Sequence, residues 1–194
     1  INHPKLILGM FITTLIIQAS NMSISPILSL YVREIMPKGS AITLFSGIVA
    51  AIPGVATLFA APQLGRLGDK IGTELILSIG FIFAILVYLP MAFVTNVWQL
   101  MFLRFLIGIS NATMLPAVQT ILSKNTPPQV TGRIFSWNQS FQAVGSVLGP
   151  MIGSTVSTMF DYSGVFISTS ILVLLNFLLV WHNTASLRRG HLKR

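Results

Sequence analysis

Gly65-Arg66-Leu67-Gly68-Asp69-Lys70-Ile71-Gly72 stands between two apolar runs, residues 42–64 and 75–95, and neither run holds a charged residue. A run of about 20 mostly apolar residues is long enough to cross the hydrocarbon core of a bilayer. The octapeptide, with Arg66, Asp69 and Lys70, is therefore read as a short watery connector between two membrane helices. Its glycines permit a tight turn and a close approach of helices. Asp69 falls just before the next helix, where a carboxylate can cap free N–H groups and meet the positive end of the helix dipole.

Working outward, four more runs have the same character: residues 6–31, 98–122, 134–160 and 163–182. Their connectors are short and carry turn residues, as in Met36-Pro37-Lys38-Gly39 and Asn125-Thr126-Pro127-Pro128. The whole chain, 1–194, reads as one all-α integral membrane domain of six transmembrane helices with a tail over 183–194. The composition agrees. Hydrophobic residues make up 53% and charged residues 8%, against about 25% charged in a soluble domain. With so few charges, lipid must cover much of the surface. The absence of cysteine excludes disulfides and thiolate metal sites. His3, His182 and His191 all lie near the chain ends, so neither a metal cluster nor a Ser-His-Asp set is expected inside.

The charge of +8 is explained by where the basic residues fall. Lys5, Arg66, Lys70, Lys124, Arg133, Arg188, Arg189, Lys193 and Arg194 share one side, Arg33 and Lys38 the other, and Arg104 lies within a span. Basic residues collect on the cytoplasmic side, so both termini are expected there, in a multi-pass membrane protein. A nucleic-acid-binding tail is the competing reading. Four tail charges beside a last span are ordinary flanks, and no nucleic acid partner is expected.

Ser20-Asn21 followed by Pro26 reappears as Ser110-Asn111 followed by Pro116, and Phe45-Ser46 as Phe135-Ser136, all at one offset of 90 residues. Three helices are then followed by three related ones of opposite direction, a 3+3 inverted repeat of the kind found in transporters. Pro26, Pro53, Pro90, Pro116 and Pro150 lie inside spans, each freeing a carbonyl one turn earlier. Such a group is tolerated where neighbours or a polar cavity satisfy it. Kinking for packing alone explains any single proline as well.

The octapeptide resembles the signature loop of the major facilitator superfamily through Gly65, Asp69, Lys70 and Gly72. Thr73 and Glu74 stand where the family usually has two more basic residues, a degeneracy typical of second halves. Leu103-Arg104-Phe105-Leu106-Ile107-Gly108 resembles the family's fourth-helix arginine motif. The stretch from Gly145 through Gly149-Pro150 to Gly153 is similar to the glycine-proline motif of drug/proton antiporters. Leu115-Pro116-Ala117-Val118-Gln119-Thr120 and Gly132-Arg133-Ile134-Phe135-Ser136-Trp137-Asn138-Gln139-Ser140-Phe141 resemble the C-terminal halves of bacterial multidrug-resistance exporters. The resemblance covers essentially the whole chain. It implies half of a twelve-helix fold, with a missing N-terminal six-helix half as partner or a second copy as a pseudo-symmetric substitute. Ile1 in place of Met and the basic tail are read in the same sense. It further implies alternating access, export of small amphipathic molecules in exchange for protons, and no cofactor beyond the proton gradient. An uptake permease for a sugar or metabolite shares the fold and is the alternative. An enzyme or a channel is not expected, since no nucleophile-base pair, filter or charged ring is readable.

The resemblance puts the first and fourth helices of a half on the central cavity. Gln18, Asn21, Asn111, Met114, Trp137, Asn138, Phe141 and Gln142 are its candidate lining. Apolar and aromatic walls with a few uncharged donors suit varied amphipathic ligands. The competing reading makes these amides interhelical hydrogen bonds. Gly65, Asp69, Lys70, Gly72, Arg104, Gly108 and Arg133 are candidates for gating or structure. Asp69 is expected to pair with Arg133. Arg104 is expected to bond first-helix carbonyls between Ser20 and Ser25, where Pro26 frees that of Met22, unless it snorkels to the surface. Glu34, Asp69, Glu74 and Asp161 all sit at span ends or in connectors, so a proton-binding acid is expected in the other half. Ala50 and Gly54 on the second helix, and Gly145, Gly149, Pro150 and Gly153 on the fifth, are expected to face that half.

Overall fold

The computed structural model describes residues 3–185. From residue 186 onward the expected tail, with its four basic residues, lies outside the described residues. Among the described residues every regular element is helical.

Helix α1, Pro4–Ile24, starts with proline in its first turn, where a missing N–H costs nothing. The expected single span over 6–31 is corrected by Pro26. Having no N–H and a ring that obstructs the preceding turn, Pro26 lies in a short break between α1 and α2, Leu28–Ile35. The Tyr31 hydroxyl on α2 donates to the Met91 carbonyl at 2.7 Å, tying the broken end back to the bundle.

Helix α3, Ile42–Ile71, continues through Pro53 and Pro62. It also runs through most of the octapeptide, which corrects the connector reading. Leu67, Lys70 and Ile71 are compatible with a helix, and only Gly72 takes a positive φ, +103°, before α4, Thr73–Met91, begins. Asp69 therefore lies in the last turn of α3. The N-cap of α4 is Gly72, and no side-chain cap bond forms there.

Helix α5, Val97–Lys124, has a true cap, the Asn96 side chain accepting from the Gln99 N–H at 2.9 Å. A 3-10 turn, Pro128–Val130, leads into α6, Thr131–Asn183. Phe160 and Asp161 leave helical geometry, Asp161 with φ +64°. The break divides α6 into two arms that correspond to the fifth and sixth spans.

Helix α1 packs on both arms of α6, α5 packs on α3 and α4, and α4 also meets α6. Tyr88, Phe81, Phe166 and Met10 are among the largest fully buried side chains. The outside is apolar as well. Leu58, Phe59, Phe93, Trp98, Phe102 and Met151 are exposed, a surface that water would not tolerate on this scale but lipid does. The long helices are apolar enough to cross a membrane, and α3 is the least covered of them.

Candidate functional site

The polar residues of the spans meet in two seams. In the first, α1 lies against both arms of α6. Thr14 donates to Asn138 Oδ1 at 2.8 Å, and Gln18 Nε2 donates to Ser146 Oγ at 3.0 Å. Ser23 and Thr169 share a hydrogen bond of 2.9 Å, and Asn176 Nδ2 donates to the Thr13 carbonyl at 3.2 Å. Glycine makes this closeness possible. A Cβ on Gly145 would stand 2.5 Å from the Leu15 carbonyl oxygen, and one on Gly153 would collide with that of Ser23. Phe11 stacks on Phe141 at the same seam, centroids 5.2 Å apart.

In the second seam α5 crosses α3. Gly108 sits on Pro53, where a Cβ would come within 2.7 Å of the Pro53 Cα. Thr57 Oγ1 lies 2.8 Å from both the Pro53 and Gly108 carbonyl oxygens. One turn away, Arg104 donates Nε to the Val49 carbonyl at 3.3 Å. Tyr88 of α4, an electrostatic neighbour of Arg104, donates to Asn21 Oδ1 of α1 at 3.2 Å. The Arg104–Val49 bond thus joins α5 to α3, and the Tyr88–Asn21 bond joins α4 to α1.

This arrangement corrects the acceptor expected for Arg104. Pro26 lies at the end of α1, whereas Pro53 lies within α3 and withholds an N–H from the carbonyl four residues earlier, that of Val49. The principle of a proline-freed carbonyl holds, with a different proline. The sequence reading missed Tyr88, although it is a residue with a polar tip in an otherwise apolar run.

The expected lining residues do not form one surface. Met114 and Asn138 are each 2% exposed. Met114 packs toward Gly80 of α4, and Asn138 is held by Thr14. Gln18, Asn21, Asn111, Phe141 and Gln142 are half-buried, and Trp137 is exposed. Asn111 Oδ1 is buried with no hydrogen-bond partner among the described residues. Such an acceptor loses its solvation without compensation.

The expected ion pair is also absent. Among the described residues no basic nitrogen lies within 4.0 Å of the Asp69 carboxylate. Asp69, Lys70 and Gly72 line an opening of about 600 Å³ with Thr73 and Lys124, whose Nζ donates to Thr73 Oγ1 at 3.3 Å. Arg133 and Trp137 line a separate one of about 340 Å³ with Pro4 and Phe11. The two charges lie on different seams, Asp69 beside α5 and Arg133 beside α1. Of the motif glycines, Gly68 is tight, its Cβ position 3.2 Å from Ile76 Cγ2, whereas Gly65 faces open space.

The two small-residue stripes separate. A Cβ on Gly54 would meet nothing within 4 Å, and Ala50 is exposed beside it. Gly145, Gly149 and Gly153 are buried against α1 of the same chain, which corrects the expectation that they face another half. Pro150 between them is half-buried.

Residues 10–191 match the model of the Major Facilitator Superfamily. The multidrug resistance protein MdtG of Salmonella heidelberg (strain SL476) is 48% identical over 192 residues, 99% of this chain and 47% of that protein. MdtG of Salmonella schwarzengrund (strain CVM19633) gives the same figures. The chain thus spans about half the length of these relatives. A crystal structure of the peptide transporter POT in complex with sulfate superposes with a TM-score of 0.82 at 19% identity, over 94% of this chain and 38% of that one. At that identity the likeness is one of fold.

Proposed function

The chain belongs to the major facilitator superfamily, and on that premise we propose that it forms the C-terminal half of a bacterial exporter of small amphipathic molecules. The observation that carries this reading is the 48% identity to a multidrug resistance protein, sustained over 99% of the chain. The chemistry of the half-buried polar and aromatic residues agrees with it. Gln18, Asn21, Asn111, Phe141 and Gln142 are half-buried, uncharged or aromatic side chains of the kind that suits varied amphipathic ligands.

Transport proceeds by alternating access. An N-terminal six-helix half closes over this face, and the two halves rock about the site between them. The 3+3 repeat is part of the same proposal. It is supported by the way α1 takes the two arms of α6 while α5 takes α3 and α4. Proton entry drives export. The acids Glu34, Asp69 and Asp161 are exposed and Glu74 is half-buried at the start of α4, so the proton-binding carboxyl belongs to the other half. Both termini face the cytoplasm of a bacterial cell, following the basic residues.

The test is made in cells stripped of their own drug exporters and supplied with the full transporter that contains this chain. Several-fold greater tolerance to amphipathic antibacterials, with lower accumulation of a fluorescent amphipathic dye, is the expected result. Unchanged tolerance together with new growth on a sugar or metabolite would replace export by uptake.

A further inference from the structure

We propose that Arg104 is a positioning residue that closes the gap Pro53 opens in α3, so that α3 and α5 move as one body during transport. The inference rests on the transporter reading for its importance but not for its geometry. Pro53 has no N–H, so the Val49 carbonyl lacks its usual partner inside a helix surrounded by apolar groups. In hydrocarbon no water is at hand to replace it. Arg104 Nε, 3.3 Å away, does so. Arg104 needs the carbonyl in turn, because an arginine within a span must find acceptors.

The contact sits where sliding would otherwise be easiest. Gly108 presents bare backbone to Pro53, and Thr57 bonds the carbonyls of both helices there. Small residues at a crossing allow close packing but supply little to fix the helices' register. The Arg104 bond, one turn toward the end where Phe45 meets Trp98, fixes it. Tyr88 of α4 separately bonds Asn21 of α1 at 3.2 Å.

Pro53→Ala restores an N–H that can satisfy Val49 from within α3, so it should relieve the need for Arg104. The variants Arg104→Leu, Arg104→Lys, Pro53→Ala and Pro53→Ala/Arg104→Leu are made in the full transporter. Two quantities are read per folded molecule: drug efflux, and the rate of disulfide formation between cysteines replacing Phe45 and Trp98, whose rings stand 5.8 Å apart. Arg104→Leu should lower both by roughly tenfold, the loss of one charge-assisted hydrogen bond. Arg104→Lys should recover part of each, and the double variant should return to the level of Pro53→Ala. If the double variant is no better than Arg104→Leu, or if Arg104→Leu behaves as the unaltered protein, Arg104 does not act through this carbonyl. Should efflux be absent in every form, the cross-linking rates still decide, and only the export reading falls.

Discussion

Gly149 lies directly against the backbone of Ala19: a Cβ placed on it would stand 2.6 Å from the Ala19 carbonyl oxygen and 2.7 Å from the Met22 Cβ. The glycine at this position serves the chain's own packing. Neither contact can yield, since one is a backbone atom and the other is held by α1. Gly149→Val should therefore destabilise the half itself, by about 1–3 kcal/mol or more. Lower yield of folded protein in detergent, with a lower unfolding temperature, is the expected outcome. A normally folded variant that fails only in joining its partner would contradict the packing seen here.

Gly54 is the opposite case. A leucine there has open space on its side of α3, so Gly54→Leu should leave the unfolding temperature of the chain within about 2 °C, as surface changes usually stay within about 0.5 kcal/mol. If α3 presents this face to the N-terminal half, the same change should reduce cross-linking between the halves several-fold. Equal loss of folding and of pairing would mean that the face is occupied within the chain.

Much of the fold is legible in the sequence because lipid imposes a simple rule. Charges are kept out of the spans, so residues 42–64 or 75–95 declare themselves without any packing information. The octapeptide is harder. Three glycines and three charges suggest a loop, yet the helix runs on to Ile71, because only Gly72 adopts a backbone that other residues avoid. Glycines spaced by four look alike whether they face the chain's own α1 or another molecule. Ala50 and Gly54 are open, while Gly145, Gly149 and Gly153 are covered, and only three-dimensional packing separates them. Arg104 shows the same limit. Its need for a carbonyl follows from its depth, but Pro26 and Pro53 both offer one. The choice depends on α5 crossing α3 at Gly108.

Orientation is a separate expectation, based on the distribution of Lys and Arg. The chain contains no cysteine, so single cysteines can be introduced without removing others from it. Those at Lys38 and Asp161 should react with an impermeant maleimide on intact cells. Those at Lys70 and Asn125 should react only after permeabilisation. The reverse pattern would turn the protein over in the membrane and place the four acids on the opposite sides.

The export reading is tested most directly in inside-out membrane vesicles that hold the full transporter containing this chain. Energised with a proton gradient, acid inside, they should accumulate a fluorescent amphipathic drug several-fold over vesicles without the transporter. A protonophore should release it, and this chain reconstituted alone should show no proton-coupled transport. Failure to accumulate any such drug, with uptake of a sugar or metabolite by right-side-out vesicles instead, would contradict the account.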